Sequence, residues 1–169
     1  MDPQHKNAKL LTQRNSQKGF SLIELLVVVA VILILAAIAI PNYLRSKMNA
    51  NEASAVQNLR SITTAEALYS STYGISYSAD LVSLSGNTAA PDQGHAELID
   101  QVLGSGVKSG YTFAYSAVST DSQGYVVDYS ITASPLVPGN TGQRYFYTDQ
   151  TYVIRWNPSV PAGPSDSAL

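Results

Sequence analysis

From Leu22 to Ile40 the chain is apolar at every position but one, and the exception is Glu24. Phe20 to Ile40 is 21 residues, which makes about 31 Å of helix at about 1.5 Å per residue. A hydrocarbon core is about 30 Å thick, so the pattern predicts a membrane-length helix over 20–40. Pro41 follows; it removes a backbone donor and disfavours helical geometry at Ile40, which predicts a kink or a brief melt there. Residues 43–73 hold no Pro or Gly. Apolar Met48, Val56, Leu59, Ile62, Leu68 or Tyr69, and Tyr73 recur close to helical spacing, with Asn49, Asn51, Glu52, Asn58 and Arg60 assigned to the polar side. The reading is one long helix, amphipathic over 41–73 and stopped by Gly74.

Beyond it, residues 74–109 are a Ser-, Gly- and Asn-rich connection with turn signals at Gly86-Asn87 and Pro91-Asp92. Within it Gly94–Leu103 predicts a short amphipathic helix through Leu98, Ile99, Val102 and Leu103. Over 110–156 the period changes to two. Tyr111, Phe113 and Tyr115 share one face; Tyr125, Val127, Tyr129 and Ile131 share another run; Tyr145 to Tyr147 and Tyr152, Ile154 and Trp156 give shorter ones. Asp121 to Gly124 and Asp149-Gln150 supply the turns. Four such strands make an antiparallel meander too small to stand alone, so it is expected to pack on the amphipathic helix. Residues 157–169, with three prolines, read as a flexible tail. The fold class is α+β: a long N-terminal helix on a small antiparallel β-meander.

Charge sharpens the N-terminal reading. Residues 1–19 carry Lys6, Lys9, Arg14 and Lys18 against Asp2, which puts that end on the cytoplasmic side of a membrane. Each central Leu, Ile or Val favours insertion by about 0.3–0.6 kcal/mol. One Glu opposes it by roughly 3 kcal/mol at most, so the segment inserts. An isolated carboxylate in such a run marks function and calls for a partner. A cut after Gly19 supplies one, because Phe20 then gains a positive α-amino group one helical turn from Glu24.

The run Gly19-Phe20-Ser21-Leu22-Ile23-Glu24-Leu25-Leu26 resembles the cleavage and methylation motif of type IV pilins and type II secretion pseudopilins. The likeness is close over residues 18–43, including Pro41-Asn42-Tyr43, and looser to about residue 73. It implies the pilin fold, a leader 1–19 removed by a membrane-embedded prepilin peptidase, cleavage between Gly19 and Phe20, and N-methylation of Phe20. It further implies that Glu24 of one subunit neutralises the Phe20 terminus of a neighbour and sets axial register. The implied partners are copies of the chain and other pilins, the peptidase/methyltransferase, and an inner-membrane assembly platform with its ATPase. The implied location is the bacterial inner membrane, single-pass, before assembly into a surface filament or a periplasmic pseudopilus. The same N-terminus serves a pilus subunit and a secretion pseudopilin, and the pilus subunit is the reading taken. A soluble secreted binding domain, cut after Ala39 in the A-x-A pattern Ala37-Ile38-Ala39, is the alternative of another class.

Composition closes several routes. There are no cysteines, which excludes disulfides and thiolate chemistry. Many relatives close a C-terminal loop with a disulfide, so here packing and hydrogen bonds must do it. A net charge of −2 gives no basic surface for nucleic acid. The histidines are His5 and His95, and no nucleophile is paired with a base, so no enzyme, cofactor or metal is expected. Asp92, His95, Glu97 and Asp100 read as a solvated face, and Asp121, Asp128 and Asp149 as turn and strand residues rather than calcium ligands. The Gly104–Gly110 run lacks phosphate-loop spacing and is read as a connector.

Overall fold

The computed structural model describes residues 19–86 and 90–169. The basic leader and Asn87 of the expected Gly86-Asn87 turn lie outside the described residues. In chain order the elements are α1 Leu22–Tyr73, α2 Leu81–Leu84, α3 Gln101–Gly104, β1 Val107–Lys108, β2 Tyr111–Thr120, β3 Val126–Pro135, β4 Tyr145–Asp149, β5 Arg155–Asn157 and β6 Ser167–Ala168. The chain divides after Ile40 into two units. In the first, the large apolar side chains of 22–40 are exposed, from Val29 at 46% to Leu22 at 79%. The α1 assignment is unbroken at Pro41, so no turn melts there.

In the second unit, Pro41–Leu169, one face of α1 meets the sheet. Ala55, Val56, Leu59, Ile62, Ala65 and Tyr69 join Tyr111, Phe113, Tyr129, Ile131, Ala133 and Phe146 in a single hydrophobic cluster. Leu81, Leu84, Ile99 and Leu103 complete it. Of the alternatives Leu68 and Tyr69, Tyr69 is the buried one. The face differs from the expected one in two places: Glu52 and Asn58, assigned above to the polar side, are buried. The helix stops as expected at Gly74, whose φ of 66° is left-handed and whose N–H donates to the Ser70 carbonyl at 3.1 Å.

The sheet has the order β1-β2-β3-β4-β5-β6, antiparallel throughout. A two-residue turn at Ser109 and Gly110, φ 51° and 76°, joins β1 to β2 in the mirror-image geometry that suits strand twist. Between β2 and β3 the register shifts at Ala117/Ser119 and again at Ser119/Thr120. The alternation therefore changes phase: Val126 is buried beside Tyr129, and Tyr125 is exposed. The sequence pattern put Tyr125 and Val127 on the Tyr129 side, because a bulge leaves no mark on simple alternation.

Two expectations for irregular segments are corrected. Helix forms only at Gln101–Gly104 within the expected Gly94–Leu103. Glu97 has a left-handed φ of 56°, which stops helix propagation, and the Asp92 carboxylate accepts the Gly94 and His95 amides in a turn. A short helix, α2, forms instead at Leu81–Leu84, with Asp80 capping the Ser83 amide at 2.8 Å. The tail 157–169 is not loose. Strand β6 pairs with β5, the Leu169 N–H donates to the Ile154 carbonyl at 2.9 Å, and Ala162 is buried. Asn157 donates to Asp166, and the other Asp166 oxygen accepts the Gly163 amide at 2.8 Å. Composition counts prolines as looseness, whereas these two polar side chains satisfy the backbone between them.

Candidate processing and assembly site

Gly19 and Phe20 precede α1, and Phe20 is 94% exposed. A Cβ placed on Gly19 would meet no atom within 4 Å. Nothing in the fold of the described residues demands glycine there. Ser21 begins the helix: its carbonyl accepts the Leu25 amide at 3.2 Å and its Oγ accepts the Ile23 amide at 3.3 Å. In return the Ser21 N–H donates to Glu24 Oε2 at 2.8 Å. Ser21-Leu22-Ile23-Glu24 is thus a capping box, in which two otherwise orphaned amides are satisfied reciprocally. A negative group in the first turn also complements the helix dipole.

This arrangement satisfies one oxygen of the Glu24 carboxylate within its own chain, at the start of α1. It also fixes the carboxylate's direction. Phe20 and Glu24 line one groove on the helix together with Ile23, Val27 and Val28. The structure therefore brings the two candidate register residues to one face. The S-x-x-E signal lay in the sequence, but the reading above weighed Glu24 only as an isolated charge.

Sequence reasoning missed two buried carboxylates in the second unit. Glu52, 4% exposed, accepts the Gln143 and Arg144 amides at 2.8 and 3.1 Å and the Arg144 side chain at 2.7 Å. The Arg144 guanidinium lies over the Phe146 and Trp156 rings, 5.5 and 5.6 Å from their centroids. Asn51 donates to the Thr141 carbonyl at 2.7 Å. Loop 136–144 is thereby fastened to α1 without a covalent link. Burial alone would raise the Glu52 carboxyl, but the Gln143 amide and Arg144 outweigh it and hold it below the usual range.

Glu66 is fully buried and accepts the Ser78 amide at 2.9 Å and the Ser78 hydroxyl at 2.6 Å. The Tyr115 hydroxyl donates to the Ser78 carbonyl at 2.7 Å. Burial pushes the Glu66 carboxyl up, and its donors offset this only in part. Burial first, and then the charge of Glu66, push the Tyr115 and Tyr129 phenols up as well. Seven-residue spacing Glu52-Leu59-Glu66 put both acids on the inner face; their charge disguised it.

The remaining candidates are held by local bonds. Asp121 accepts the Gln123 and Tyr125 amides, Asp128 the Ser119 hydroxyl, and Asp149 the Thr151 amide and hydroxyl. Asp100 pairs with Lys108 at 2.6 Å, which holds its carboxyl below the usual range, and it caps the Leu103 amide. Among the described residues, no three His, Cys, Asp or Glu side chains gather as a metal site.

One helix among the described residues, α1, is long and apolar enough to cross a membrane. Residues 14–40 match the family described as the prokaryotic N-terminal methylation motif. The chain is 49% identical over 49 residues to the type IV major pilin protein PilA of Myxococcus xanthus, which is 29% of this chain and 22% of that protein. It is 60% identical over 35 residues to the type IV wide pilus major component PilA4 of Thermus thermophilus, 21% and 27% of the two chains. The chain thus matches about a quarter of the length of each of these curated relatives. Over these stretches the chain is similar to type IV major pilins, and its methylation motif leads into a long helix that packs with an antiparallel sheet.

Proposed function

We propose that this protein is a non-enzymatic structural subunit of a type IV pilus-like filament, cut after Gly19 by a prepilin peptidase and N-methylated on Phe20. The observation that carries this reading is the first unit itself: an apolar helix exposed on all sides, whose one carboxylate shares a face with Phe20. An exposed apolar surface of that extent requires lipid or other protein around it. Lipid serves the stored precursor in the inner membrane, and neighbouring helices serve the filament. Since both surroundings are apolar, the transfer is nearly neutral on hydrophobic grounds.

The electrostatic part is not neutral. After cleavage, the Phe20 ammonium stands at the positive end of its own helix dipole, which disfavours it. A neighbour's Glu24 removes that penalty, and the Ser21 amide leaves the second carboxylate oxygen of Glu24 to receive the ammonium. An ion left unpaired in a low-dielectric interior costs several kcal/mol, so the pair selects one axial register. Pro41 is the point at which α1 bends to fit a bundle, and an assembly platform and ATPase supply the drive.

The Gly19 backbone tests the processing step. Since no contact among the described residues requires glycine there, Gly19→Val is expected to leave the fold intact and to abolish cleavage, because the peptidase groove must admit the residue. The readout is the mass of the chain in membranes. A cleaved product of normal size from Gly19→Val contradicts the assignment.

A further inference from the structure

Charge is segregated in the second unit. The exposed charges on α1 from Pro41 onward are Arg45, Lys47 and Arg60, all cationic, while Glu52 and Glu66 are buried. The rest of the unit exposes Asp80, Asp92, Glu97, Asp100 and Asp121. Its cations are engaged: Lys108 with Asp100, Arg144 with Glu52, and Arg155 with the Asp166 carbonyl. Arg60 joins none of the ion pairs among the described residues.

Arg60 lines a groove of about 290 Å³ with Gln57, Ala65, Leu68 and Leu98. Ser61 and Thr64 also line it, so the groove offers one cation among polar side chains, with Ala65, Leu68 and Leu98 as its apolar part. The tip of the β2–β3 hairpin has the complementary character. Val118, which the register shift leaves out of the β-ladder, is 61% exposed and Tyr125 is 39% exposed, with Asp121 between them in the turn. That turn lies against Ser70, Gly74 and Ser76, at the C-terminal end of α1. Arg60 is about 21 Å of helix away from Gly74, so Arg60 and the hairpin turn do not meet within one chain.

We propose that the occupant of the Arg60 groove is the β2–β3 hairpin tip of a second copy of this chain, Asp121 facing Arg60 and Val118 and Tyr125 covering Leu68 and Leu98. The contact rests on the filament-subunit reading and adds to it a second point of subunit recognition, separate from Glu24 and Phe20. Because knob and groove are different surfaces, the contact is head-to-tail. Such a contact propagates into an open helical array unless its rotation closes a ring.

The chain's lack of cysteine allows a direct test. In the full-length chain, Gln57→Cys and Ser122→Cys place one thiol beside the groove and one on the hairpin turn. Fibres sheared from cells and oxidised with a copper(II) reagent are expected to give a covalent ladder for the double variant and none for either single variant. A bridge within one chain is excluded, since disulfide Cα atoms lie within about 7 Å. Arg60→Glu is expected to lower fibre yield several-fold, and Gln123→Lys added to it to restore the yield. Fibres of the double-cysteine chain without a ladder overturn the contact while leaving the subunit reading standing. A Gln57→Cys adduct to a different polypeptide, identified by mass, places another subunit in the groove and also overturns it. Failure of the parent chain to form fibres overturns the subunit reading and the contact with it.

Discussion

At the residue scale, three glutamates do three different things, and their surroundings decide which. Glu24 closes a capping box, so Ser21→Ala is expected to weaken the start of α1 by about 1 kcal/mol. Lower helicity of the full-length chain in detergent, by circular dichroism, checks this. Glu52 sits below the usual carboxyl range, so its stabilising contribution is complete above its unfolded pKa of 4.5 and is lost as pH falls through the folded value. Glu66 sits above that range, so the sign reverses: stability it lends at low pH is lost as pH rises from 4.5 through the folded value. Melting curves in detergent from about pH 2 to about pH 8 separate the two. The advantage of the parent over Glu52→Gln should shrink on acidification below 4.5, while that of Glu66→Gln over the parent should grow as pH rises above 4.5. Parallel curves for all three proteins would contradict these assignments.

At the element scale, α1 carries both a membrane-length segment and the inner wall of a sheet domain. Leu59 and Ile62 are fully buried, so either change to Ala is expected to destabilise the domain by about 2–5 kcal/mol, read as a lowered melting temperature. Much of this was legible: the apolar run, the stop at Gly74 and the two-residue alternation of β2 follow from spacing alone. The inner face of α1 was misread where Glu52 and Asn58 face the sheet, because composition ranks them as surface residues while periodicity puts them inside. The bulge at Val118, the left-handed turn at Glu97 and the Asn157–Asp166 clasp are settled by tertiary contacts that no local pattern encodes. For the same reason Asp166→Ala, a change in a segment that reads as disordered, is expected to open 158–169 to limited proteolysis. An unchanged cleavage pattern would contradict the clasp.

At the scale of the whole molecule, the chain combines an exposed apolar helix with a domain closed without a covalent cross-link. Loop 136–144 is held by Glu52, Arg144 and Asn51, and the C-terminus by β6 and Asp166. Hydrogen bonds and one ion pair replace the cross-link, so the domain is expected to be indifferent to reducing agents and sensitive to acid through Glu52. The filament role rests on the other half. Mass spectrometry of fibres sheared from the cell surface, read for the abundance and the N-terminus of this chain, tests it most directly. The account predicts an abundant chain that begins at N-methylated Phe20. The same N-terminus confined to the membrane fraction would instead point to a short pseudopilus, and a chain beginning at Ile40 in the medium would contradict the account outright.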